Sequence, residues 1–341
     1  MMIRTMHRIG LFQTLAAIVA CLAASVSPSG TAAADSKKVV FTTDWGYNGR
    51  HAYYFVALDK GYYKAEGLDV EILGGRGSGT VIKEVAAGTV KIGFADAGTL
   101  ALARANENVP VKMLAVVYAD SPHALIVLEE SGIKGPKDLE GKTASDAAGS
   151  SNYKYFGAYA KAGGADPDKV KWVFSESTAL VGLLLAGRVD AIGQYALGIP
   201  LLEKRAAPKK VGILLYKNVP GFQIYANGII VREDTLKKEP DMVRKFVKAS
   251  MKGLRDACAD PAEAGKILAK YHKQVEPDIG EGETKLVCEI AINALSKKHG
   301  LGHIDLAKMG KTIDLVKKAF ELKRKIDPSE VFVPGFTGKL E

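Results

Sequence analysis

The sequence predicts an α/β protein built as two doubly wound lobes, joined by a hinge and facing each other across a cleft. Three observations predict it: short β-branched runs alternate with helical patterns, the alternation restarts after Pro136, and everything beyond Pro240 reads as amphipathic helix. In the first series, strands are expected at 39–41, 70–73, 92–94 and 111–118, with helices over 51–60, 80–87 and 100–105. Strands separated by helices make βαβ units, so a mostly parallel sheet is expected. The second series places strands at 142–144, 170–174 and 191–193 and helices at 151–161 and 178–186. An internal echo supports two lobes, because Ala87-Gly88-Thr89-Val90-Lys91-Ile92-Gly93 and Ala186-Gly187-Arg188-Val189-Asp190-Ala191-Ile192-Gly193 both read as helix, glycine stop, buried strand. Strands at 124–128 and 223–231 are expected to cross between the lobes. Helices at 240–258, 261–270, 284–297 and 306–320 need a sheet or each other to cover their apolar stripes, and the first lobe is their expected home. The division is therefore 35–125 plus 225–341 for the first lobe and 126–224 for the second. Ligands of open α/β sheets sit beyond the carboxyl ends of the strands, which points to the interlobe cleft.

The first residues carry a different message. Arg4 and Arg8 precede an apolar run from Leu11 to Val26, and small residues end at Ala32-Ala33-Ala34, the pattern of a cleaved export signal. A run of that length is short for a membrane anchor. Ile18-Val19-Ala20-Cys21 also resembles a lipobox, although the apolar Leu22-Ala23-Ala24 after it argues against lipidation at Cys21. The expected home is the periplasm. Cleavage at Ala34 takes the 47 basic residues to 45 against 38 acidic ones, a net +7. Lysines such as Lys237, Lys238, Lys245 and Lys248 are spread over helical faces, which fits a solvated surface and not a nucleic-acid partner. Cys258 and Cys288 remain after cleavage, and a pair in an oxidising compartment suggests a disulfide, two buried thiols being the alternative. His51, His123, His272, His299 and His303 lack metal-ligand spacing, so no metal and no cofactor is expected.

The segment Thr43-Asp44-Trp45-Gly46-Tyr47-Asn48-Gly49-Arg50-His51 and the run Lys60-Gly61-Tyr62-Tyr63-Lys64-Ala65-Glu66-Gly67-Leu68-Asp69-Val70 follow the first strand. The glycine-rich turn Gly74 to Gly79, Val90 to Ala95, Gly135 to Lys142 and Ala186 to Gly193 come after them in order. Together, over about residues 38–255, they resemble the substrate-binding proteins of ABC transporters that serve thiamine-precursor pyrimidines, nitrate, sulfonates and taurine. The resemblance implies a type II periplasmic-binding-protein fold, capture of a small solute by lobe closure, and delivery to an inner-membrane permease by a monomeric binding protein. The pyrimidine branch looks closest, through Asp44, Trp45, Asn48 and His51.

A heterocycle would stack on Trp45 and be fixed by neighbouring polar groups. Trp45 packing in the core is the alternative, as is a capping role for His51. Truncating Trp45 to alanine is expected to abolish binding with little change in the melting temperature of the free protein. The amides of the turn around Gly77 and Ser78 would cradle an anion or ligand oxygen at a helix N-terminus, or simply form a flexible turn. Ser145 and Ser150 face them from the second lobe, where helix capping explains them equally well. Asp96, Asp120 and Glu176, near expected strand ends, suit amino groups of a heterocycle and would repel a sulfonate or nitrate; each also reads as a cap or turn residue. Gln194, Tyr195, Tyr225 and Asn227 would add neutral hydrogen bonds or lie in solvent-facing loops. The same opening motif resembles a pyrimidine synthase of thiamine biosynthesis. That enzyme class carries a cysteine-rich second lobe, whereas no cysteine lies between Cys21 and Cys258 here.

Overall fold

The computed structural model describes residues 36–339, so the expected export signal and the Cys21 lipobox lie outside the described residues. Strand β1 (Lys37–Thr42) is followed by a 3-10 turn at Gly49–His51, α1 (Ala52–Asp59) and α2 (Tyr62–Ala65). Then come β2 (Leu68–Leu73), α3 (Ser78–Ala87), β3 (Ile92–Asp96), α4 (Ala97–Glu107) and β4 (Val111–Val116). The chain crosses over to β5 (His123–Leu128), β6 (Thr143–Asp146), α5 (Ser151–Ala162), β7 (Lys171–Phe174) and α6 (Leu180–Leu185). The second half closes with β8 (Ala191–Tyr195), α7 (Ile199–Ala206) and β9 (Val211–Leu215). A return crossover leads to β10 (Asn227–Arg232) and the helices α8 (Glu233–Lys238), α9 (Pro240–Ala259), α10 (Pro261–Tyr271), α11 (Pro277–Ala291), α12 (Ala294–His299), α13 (Leu306–Ala319) and α14 (Pro328–Val331).

The strands form two five-stranded sheets with the same plan, β2-β1-β3-β10-β4 and β7-β6-β8-β5-β9. The expectation of mostly parallel sheets holds for strand direction, with one reversed strand in each sheet. In each sheet four of the five strands point the same way, and the strand fourth in the order, β10 or β5, which arrives from the other sheet, lies antiparallel to both of its neighbours. Strands β3 and β5 are buried at every position, because helices cover both faces, whereas the edge strand β2 alternates buried and exposed. The internal echo falls on equivalent places, α3 into β3 and α6 into β8. Gly88 (φ 78°) and Gly187 (φ 64°) each take the left-handed conformation that ends those helices.

Each sheet has its own apolar clusters. Helices α9, α10 and α11 pack with α1 over the first sheet, where Phe41 touches both Tyr54 and Phe246 at ring-centroid distances of 4.4 and 5.1 Å. Cys258 on α9 and Cys288 on α11 are joined by a disulfide. Helix α13 lies against α4 of the first lobe and α5 of the second. Two expected elements differ from the structure. The strand over 223–231 is confined to β10, since the amides of Tyr225 and Ala226 are taken by Thr312 Oγ1 and the Tyr118 carbonyl before the ladder begins. The helix over 284–297 is two helices: α11 starts earlier, behind Pro277, and Asn293 caps α12 by accepting from the Leu295 and Ser296 amides. Among the described residues no helix is long and apolar enough to cross a membrane.

Candidate functional site

The loop after β1 is built by backbone bonds to the glycine turn that follows β2. The Gly75 amide donates to the Trp45 carbonyl (3.0 Å) and the Gly77 amide to the Asp44 carbonyl (2.7 Å). A β-carbon at Gly75 would stand 1.9 Å from the Thr43 carbonyl oxygen, so only glycine lets the two loops close on each other. The Gly79 amide donates across to the Gly149 carbonyl of the second lobe (3.1 Å). The Gly75, Gly77 and Gly79 amides are therefore committed to main-chain oxygens in a loop-to-loop seam, with Gly77 and Ser78 at the edge of the space between the lobes. Ser78 Oγ accepts from the Asp96 amide (3.0 Å).

Asp44, Trp45, Arg50, Gly77 and Ser78 form one wall of a crevice between the lobes. Ser150, Ser151, Asn152, Gln194 and Tyr195 form the other. The space left between them is about 10 Å³, room for a single water. Asp44 is buried, its Oδ1 2.7 Å from His51 Nε2 and its Oδ2 3.5 Å from Arg50 Nη2. Burial pushes this carboxyl upward, but the Arg50 guanidinium and the His51 hydrogen bond overcome it and hold Asp44 below the ordinary carboxylate range. Burial in turn keeps the His51 imidazole below its usual value, so a neutral His51 donates its Nε2 proton to an ionised Asp44.

Trp45 is 9 % exposed and is the one first-lobe member of an apolar cluster whose other buried residues, among them Ala124, Ile126, Leu180 and Ile192, belong to the second lobe. Tyr195 and Leu197 make the reciprocal insertion into the first-lobe core. The structure thus shows the core-packing alternative for Trp45, with the ring also at the wall of the crevice, and burial of this kind makes a cost in stability the expected result of its truncation. Arg50 lies over the Tyr195 ring at 4.8 Å and 5.9 Å from the Trp45 ring.

Behind the crevice runs a buried chain of polar groups. Tyr195 Oη donates to Asn227 Oδ1 (2.8 Å) and meets Ser151 Oγ (2.8 Å), which is 3.1 Å from His123 Nε2. Asp96 caps α4 through the Thr99 amide, accepts from Tyr155 Oη (3.2 Å) and lies 3.5 Å from His123. Asp96 and Asn227 are thus second-row groups linking the lobes, and His51 reaches the site through Asp44. Asn48 donates its amide to the Gly46 carbonyl. Besides Asn48, four expected residues are not brought to the crevice. Asp120 pairs with Lys217 and Lys308 and shares a separate cavity of about 560 Å³ with Tyr225, while Ser145 is buried against Ser175 and Glu176 is exposed. Arg50 and Asn152 went unnoticed as site residues in the sequence. Arg50 immediately precedes His51 and a helix whose residues 52–57 are all buried, a placement that turns its side chain inward.

A family profile described as NMT1/THI5 like matches residues 48–264. The riboflavin-binding protein RibY of Chloroflexus aurantiacus is 28 % identical over 92 % of this chain and 90 % of its own length. The formylaminopyrimidine-binding protein of Halalkalibacterium halodurans is 24 % identical over 75 % of this chain and 78 % of its own. The solved alkanesulfonate-binding protein SsuA of Xanthomonas axonopodis pv. citri, bound to MOPS, superposes with a TM-score of 0.70 at 12 % identity, over 89 % of this chain and 100 % of that one. That likeness, with the twin sheets and their exchanged fourth strands, makes the architecture a periplasmic-binding-protein fold. By the extent of the profile match, the chain is a member of the NMT1/THI5-like family.

Proposed function

We propose that this chain is the solute-binding component of an ABC importer, capturing a small nitrogen heterocycle with a pyrimidine ring between its lobes and handing it to an inner-membrane permease. The observation that carries this reading is the buried Asp44 carboxylate, between Arg50 and His51 and beside Trp45, at the crevice between the lobes. A buried carboxylate accepts from ring N–H or amino groups, and the indole offers a flat apolar surface to the ring. Two relatives whose names give a ligand point the same way, since riboflavin contains a fused pyrimidine ring and formylaminopyrimidine is one. A sulfonate or nitrate would set its charge against Asp44. The protein works as a monomer in the periplasm, opening to admit the ring and closing over it, and makes or breaks no covalent bond.

The test is a thermal-shift and calorimetric panel of riboflavin, formylaminopyrimidine, taurine, nitrate and an aromatic acid. A true ligand at a hundred times its dissociation constant stabilises by ~2.7 kcal/mol, a clear shift. Binding of the anions with no response to either heterocycle removes this reading.

A further inference from the structure

Arg50 is the cation in the crevice wall, and its bonding is incomplete. The side chain is 3 % exposed, yet its Nε has no hydrogen-bond partner among the described residues. Its nearest carboxylate oxygen, Asp44 Oδ2, is 3.5 Å away, longer than the ~2.7–2.9 Å of a charge-assisted hydrogen bond. A guanidinium carries five N–H donors in a rigid fork, and a buried donor left unmet is costly.

The backbone beneath Arg50 is held firmly. The Gly49 amide donates to Glu283 Oε2 (2.5 Å), Thr284 Oγ1 donates to the Gly49 carbonyl (3.0 Å), and Tyr118 Oη donates to the Arg50 carbonyl (3.1 Å). A β-carbon at Gly49 would stand 2.4 Å from the Gly280 carbonyl oxygen, so this turn is pressed against α11. The fork is aimed by that anchorage and by the Tyr195 ring beneath it.

Side by side, then, stand an acceptor, Asp44 Oδ2, and a donor, the Arg50 fork. Resting on the reading above, we infer that Asp44 and Arg50 together read a ring edge on which an N–H donor adjoins a carbonyl oxygen. The ligand class is accordingly a lactam- or amide-bearing pyrimidine-type heterocycle. A ligand with amino donors alone leaves Arg50 unmet. A free anion satisfies Arg50 but faces Asp44, and a neutral edge of alternating donor and acceptor satisfies both.

The probes are riboflavin and formylaminopyrimidine, which carry carbonyl groups, and 4-amino-5-hydroxymethyl-2-methylpyrimidine, which carries none. Calorimetry is run on wild type, Arg50→Gln and Arg50→Lys, with circular dichroism to confirm folding; Arg50→Lys keeps the charge beside Asp44 if the glutamine variant does not fold. For the wild type, at least one carbonyl-bearing probe should bind about tenfold or more tighter than the carbonyl-free one, and a folded variant should lose about tenfold or more for that probe alone, as expected for one charge-assisted bond. Equal weakening of all probes in the variants, or a carbonyl-free probe binding the wild type as tightly as the others, overturns the inference and leaves the heterocycle reading in place. Wild-type protein that binds none of the three removes the heterocycle reading and this inference with it.

Discussion

Replacing Gly149 by alanine tests whether binding depends on the seam between the lobes. Gly149 does not occupy the left-handed region, so alanine is acceptable to the second lobe's own backbone. The added β-carbon would, however, stand 2.6 Å from Thr80 Oγ1 and 2.9 Å from the Arg76 carbonyl oxygen of the first lobe, where ordinary contact begins at 3.4 Å. Thr80 Oγ1 can rotate away but the Arg76 carbonyl cannot, so the turns must part and the Gly79-to-Gly149 hydrogen bond lengthens. Overpacking of this kind costs ~1–3 kcal/mol, and because it acts only when the lobes meet, it should appear as roughly 5- to 150-fold weaker ligand binding. Calorimetry gives the affinity, and small-angle scattering shows whether the variant is more extended than the wild type. Unchanged affinity and unchanged radius in Gly149→Ala would refute the reasoning, because the seam would then be incidental to capture.

Truncating Trp45 to alanine should lower stability by up to ~3–5 kcal/mol as well as abolish binding, since the ring fills the second lobe's apolar cluster; an unchanged denaturation midpoint would exclude that packing. Reducing the disulfide, which spans a sequence separation of 30, should destabilise by ~2–4 kcal/mol in urea titrations with and without reductant. Glu283 gives a pH signature: burial pushes its carboxyl up to about 7, against the downward pull of the Gly49 amide and Arg50. The folded chain then holds a proton that the unfolded chain releases above its ordinary 4.5. Stability from this site is greatest below that value and declines as pH rises towards 7. Glu283→Gln should flatten that decline between about pH 5 and pH 7, and an identical slope would count against it.

Much of the fold was legible because its causes are local. Val39, Val70 and Ile92 lie in strands whose β-branched runs stand out, and Gly88 and Gly187 end helices where the chain needs a left-handed residue. The antiparallel fourth strands were not legible, since direction within a sheet is decided by which strand crosses from the other lobe, and no periodicity records that. The helix break at Asn293 was lost because the apolar pattern continues through it while the side-chain cap interrupts it. At the site, Asp44 and Trp45 are visible as polar and aromatic residues in a loop after a strand. Arg50 is not, because an arginine beside glycines reads as solvated until a buried carboxylate and a tyrosine face are found beside it. Asp120 misled for the opposite reason: it follows a strand, but two lysines hold it elsewhere.

Trp45 has one more consequence. The chain has two tryptophans. Trp172 is flanked by Tyr153 and Phe156 of its own lobe, so its surroundings travel with it. Trp45 belongs to one lobe and is shielded by the other, so under the proposed opening of the lobes its indole is the one expected to pass from hydrocarbon to water. With Trp172→Phe as background, emission wavelength and acrylamide quenching become an unlabelled optical gauge of the gap, readable in real time by stopped-flow mixing.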